Sequence, residues 1–107
     1  MKNVDSLIQD LQKTIEALET LSESSGAEAE QIDELLDQLF QQKIDLVNAS
    51  FNASSQPFLQ ASQAMKLAAN KAAKAVKEPA RMDETGKAVT DAITKLAKLL
   101  DTVNPKG

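Results

Sequence analysis

Residues 40–76, FQQKIDLVNASFNASSQPFLQASQAMKLAANKAAKAV, carry a sevenfold apolar repeat that decides the fold class. Ile44, Phe51, Phe58, Met65 and Ala72 recur at one position of the seven. Phe40, Val47, Ser54, Ala61, Ala68 and Ala75 recur at the partner position. That spacing makes the a/d seam of a helix packed against other helices. Phe40, Ile44, Val47, Phe51, Phe58 and Met65 are its large members and the expected core seam. The repeat keeps its phase across Pro57, whose ring breaks or kinks a helix. Two readings stay open: a break near Ser54-Ser55-Gln56-Pro57, or one long helix kinked at Pro57. Ser-Ser-x-Pro is a good helix start and favours the break.

The rest of the chain extends the same pattern. Val4, Leu7, Ile8, Leu11, Ile15, Leu18 and Leu21 form one stripe, with Asn3 as N-cap and Gly26 able to end the helix. Ser25-Gly26-Ala27-Glu28 fits a capping box for the next helix. Its expected buried face is Ile32, Leu35, Leu36, Leu39, Phe40, Ile44, Val47 and Phe51. From Ala61 to Ala75 the seam turns small, with Met65 and Val76 as its larger residues. Pro79 stops that helix, and Asp83 is expected to cap a last one with the stripe Val89, Ala92, Ile93, Leu96, Leu99, Leu100 and Val103. The expectation is an all-α, antiparallel bundle of segments at about 4–24, 27–53, 57–77 and 84–103, forming one domain with a frayed tail at 104–107. The kinked alternative joins the middle two segments.

Composition narrows the chemistry. The 107 residues include no Cys, His, Trp or Tyr. Disulfides, thiolate zinc sites and cysteine nucleophiles are excluded, and the commonest neutral-pH base is missing. Glu30, Asp33, Glu34 and Asp37 share a helix face, but one rigid helix cannot wrap a calcium ion. The expectation there is a solvated acidic face, with no metal or cofactor. Asp83-Glu84-Thr85-Gly86-Lys87 has a Gly-Lys pair without the first glycine or the strand of a phosphate loop. A non-catalytic protein is the reading that follows. Asp5 and Asp10 interrupt the N-terminus before any signal-like apolar run, so the expected compartment is the cytoplasm, with leaderless export left open.

Charge is divided along the chain. Residues 1–55 hold three basic and eleven acidic side chains, a balance of −8. Residues 56–81 hold Lys66, Lys71, Lys74, Lys77 and Arg81 against Glu78 alone, a balance of +4. The four lysines lie within about 140° of a helical wheel. They are the candidate interaction residues, together with Arg81. A solvated face, an acidic partner and an anionic membrane or granule surface are the competing readings. Nucleic acid is disfavoured, because arginine is nearly absent and no stacking aromatic accompanies the lysines.

The size and the opening hairpin resemble the small helical-hairpin proteins of bacterial secretion systems, among them a family named for a Trp-x-Gly turn. This chain has no tryptophan, so the resemblance assigns no residue a role. The function expected is a helical protein–protein interaction module acting as an adaptor, a secretion-related chaperone or subunit, or a small regulator. Homodimerisation would bury whatever part of the seam the bundle leaves uncovered.

Overall fold

The computed structural model describes residues 4–24, 29–48 and 55–103, apart from the side chains of Val4, Ser24, Pro79, Thr102 and Val103. Among them are four α-helices packed against one another, and no strand. These are α1 (Val4–Ser24), α2 (Ala29–Val47), α3 (Gln56–Lys77) and α4 (Met82–Val103), with a 3₁₀ turn at Pro79–Arg81. The middle segments are separate helices. Ser55 is the N-cap of α3, with its hydroxyl accepting from the Phe58 N–H at 3.4 Å, and Pro57 lies in the first turn. There its missing N–H costs no helical bond. The expected extensions of α2 to residues 27 and 53, Gly26, the capping box and Phe51 lie outside the described residues.

Each helix contributes one stripe to a shared core. Leu7, Leu11, Ile15, Leu18 and Leu21 enter from α1, and Val89, Ala92, Ile93, Leu96 and Leu99 from α4. Burying each leucine, isoleucine or valine contributes about 1.5–3 kcal/mol, so these stripes dominate the stability of α1 and α4. The inner face of α3 is Phe58, Met65 and a row of alanines at 61, 64, 68, 69, 72 and 75, with Ser62 among them. Around the bundle, α1 packs against α2 and α3, and α4 packs against α3 and α2. Hence α2 and α3 stand at opposite corners. Of the four edges, α2–α4 is the sparsest.

Two expectations about the core need correction. Phe58 and Met65 are fully buried, but Phe40, Ile44 and Val47 are exposed by 42, 57 and 59%. The buried face of α2 is Ile32, Leu36, Leu39, Gln42 and Leu46, with Leu35 partly covered. α2 carries two apolar stripes roughly 100° apart on the wheel. Only the one containing more leucines turns inward, because it runs the full length of the helix from Ile32 to Leu46. Val76 likewise points outward.

The start of α4 also shifts. It begins at Met82, one residue before the expected cap, so Asp83 and Glu84 occupy its first turn. The Arg81 N–H donates to the Glu78 carbonyl at 2.9 Å, and this turn carries the chain directly into α4. The two carboxylates still suit the positive end of the helix dipole.

Candidate functional site

The outer face of α2 is built from its acidic first half and its second apolar stripe. Glu30, Asp33 and Asp37 are exposed at one end, followed by Phe40, Ile44 and Val47. At 100° per residue these six fall within about 100°. The Ser22 hydroxyl donates to an Asp33 carboxylate oxygen at 3.0 Å, and Lys43 donates to the Gln12 side chain. Those two contacts hold α2 against α1 while Phe40, Ile44 and Val47 line a shallow depression with Lys43 and Asn48. An exposed apolar cluster rimmed by polar groups is the usual mark of an interaction surface.

The basic residues do not form one uniform patch. Lys71 approaches Glu84 at 3.7 Å, and Arg81 meets both Glu78 at 2.9 Å and Glu84 at 3.6 Å. The hydrogen bond and charge of Glu78, and then the charge of Glu84, hold the Arg81 guanidinium above its ordinary range, so it stays cationic. Lys66 faces Asp10, Lys13 and Glu16 across a groove between α1 and α3. Lys74 and Lys77 are exposed in the last turn of α3, where cations complement the dipole. Residues 56–77 contain no acidic side chain. The outer line of α3 is therefore Leu59, Gln63, Lys66, Leu67, Asn70, Lys74 and Lys77, all exposed, with Leu67 open by 51% and Leu59 by 37%.

Between α2 and α4 lies an open cleft of about 630 Å³ lined by Ile32, Leu35, Met82, Gly86 and Thr90, with Glu34 and Lys87 on its rim. Farther along this edge the Gln42 amide donates to the Ile93 carbonyl at 2.9 Å. Gln42 is buried, and its side-chain oxygen has no partner among the described residues. No group of three or more metal-ligating side chains comes together among the described residues. Glu30, Asp33, Glu34 and Asp37 are all exposed.

The sequence pointed to the lysines of α3 and placed Phe40, Ile44 and Val47 in the core. The exposed stripe of α2 was missed. Its signal was present as an excess: Ile32, Leu36, Leu39 and Leu46 already fill one helical face, leaving Phe40, Ile44 and Val47 for another. No helix among the described residues is long and apolar enough to cross a membrane. The chain matches no protein-family model, no curated protein and no solved structure, so its own surface carries the functional argument.

Proposed function

We propose that this protein is a non-catalytic helical interaction module that associates with copies of itself. The observation that carries this reading is the exposed Phe40–Ile44–Val47 stripe on α2. Holding three large apolar side chains in water on one face is a standing cost that association removes. The lack of His and Cys supports a binding role over a catalytic one. An adaptor, a secretion-related chaperone or subunit, or a small regulator would each use such a surface.

Antiparallel hairpins belong to the same proposal. Gln12 pairs with Lys43 and Ser22 with Asp33, so one index rises as the other falls. That trend supports α1 and α2 running in opposite directions. Lys71 with Thr85 and Glu84, close to the turn, supports the same for α3 and α4.

A surface that binds anionic lipid through Lys66–Lys77 is the weaker reading. An interfacial helix must offer its apolar face to the bilayer. In α3 that face, Phe58 to Ala75, is already inside the bundle.

Sedimentation equilibrium tests self-association. The apparent mass is expected to rise across roughly 1 to 100 µM, the range in which small interfaces operate. A single monomeric species throughout that range overturns the reading. Ile44→Lys is expected to return the protein to monomer with its helicity unchanged.

A further inference from the structure

Resting on the self-association reading, we infer that the surface receiving the α2 stripe is the outer face of α3 in a second copy, in a head-to-tail contact. The two faces match in both charge and polarity when the helices run antiparallel. Along α2 the order is acidic, then apolar: Glu30, Asp33, Asp37, Phe40, Ile44, Val47. Along α3 it is apolar, then basic: Leu59, Leu67, Lys74, Lys77, with Lys66 beside Leu67. In one register Glu30 meets Lys77, Asp33 meets Lys74 and Phe40 meets Leu67, while Val47 reaches the level of Leu59. Asp37 then faces the Asn70 amide and Ile44 the stem of Gln63. Every one of these residues is exposed. The contact spans about 26 Å of helix.

Pairing α2 with another α2 does worse. A parallel arrangement in register sets Asp33 and Asp37 against their own copies. An antiparallel one centred on Ile44 leaves those carboxylates without cations. Only α3 offers apolar and cationic groups in the matching order. Because α2 and α3 stand at opposite corners, one molecule cannot join its own two faces. Each copy therefore presents one donor face and one acceptor face, and the assembly grows as a ring or a filament. Attraction between exposed charges weakens with salt.

Two blocked variants test this. Asp33→Lys/Ile44→Lys disables the α2 face, and Leu59→Lys/Leu67→Lys disables the α3 face. Circular dichroism first establishes that both retain wild-type helicity. Each alone is expected to be monomeric by light scattering at concentrations where the wild type assembles. An equimolar mixture is expected to give a one-to-one dimer and nothing larger, because one intact interface remains. Asp33→Lys alone should weaken association at least tenfold, and adding Lys74→Asp should restore it. If the α3-blocked variant assembles like wild type while the α2-blocked one does not, the contact is α2 to α2; head-to-tail assembly falls and self-association survives. A wild type that stays monomeric removes both. Binding to anionic vesicles that Lys74→Asp abolishes, in a chain that remains monomeric, likewise overturns the contact.

Discussion

Phe40 and Phe58 belong to one sevenfold repeat, yet the first is 42% exposed and the second is sealed in the core. The difference comes from their helices. α3 has one apolar face and puts Phe58 on it, whereas α2 has two and can bury only one. Phe58→Ala is expected to cost about 3–5 kcal/mol in chemical denaturation, the usual penalty for emptying a buried phenylalanine site. Phe40→Ala is expected to stay within about 0.5 kcal/mol of wild type when measured on dilute monomer. Equal penalties would mean that Phe40 is buried after all. Gln42 reverses the pattern, being a polar residue on an inward face whose side-chain oxygen has no partner among the described residues. Replacing it with an apolar side chain of similar length removes that desolvated acceptor. Gln42→Met is expected to raise stability by about 1 kcal/mol, and a loss of that size would show the bond to Ile93 to be worth more than the orphaned oxygen costs. The spacing Leu35, Leu39, Gln42, Leu46 puts Gln42 on the inward stripe, but its bond to Ile93 depends on α4, fifty-one residues away.

At the level of elements, the ends of helices were more legible than their orientation. α1 (Val4–Ser24) covers the span its stripe predicts, and α3 begins within a residue of Pro57. These boundaries rest on local chemistry, which a single sequence carries in full. Ser55→Ala tests the cap, and the loss expected is about 1 kcal/mol. The rotation of α2 was legible only in part, since both of its stripes satisfy helical periodicity and only the greater length and leucine content of the inward one separates them. Gly86 offers a second test at this scale. It sits inside α4 beside the cleft, and a methyl group placed there meets nothing within 4 Å. Gly86→Ala should therefore stabilise the protein by about 0.5–1 kcal/mol, through lower backbone entropy in the unfolded chain. Thermal melts of the two variants should move in opposite directions.

For the molecule as a whole, the all-α class was readable from composition and period, but the arrangement of corners was not. Contacts such as Thr14 with Met65 and Gln42 with Ile93 join helices that no local signal pairs. The candidate surface suffered for the same reason. Its lysines were visible as a charge run, but its apolar counterpart on α2 emerged only once the core had taken its share. The packing also predicts a hierarchy of opening. α3 is held by both α1 and α4, whereas α2 meets α4 along the sparsest edge. In native-state hydrogen exchange on dilute protein, amides from Ala61 to Ala75 are expected to be the last to exchange and those of α2 among the first. Uniform protection across all four helices would contradict that order.

The alanine row of α3 bears on how such a chain can vary over generations. Where neighbouring helices close on Ala61, Ala68, Ala72 and Ala75, all with no exposed surface, an added methylene has no space to enter. Substitution there is confined to glycine, serine or alanine unless a facing leucine shrinks in the same lineage. For folding alone, the exposed faces carry no such limit. A deep mutational library scored for folded, monomeric protein would thus show α3 as a narrow band of intolerance backed by a permissive one. Paired changes would join its alanines to the leucines of α1 and α4.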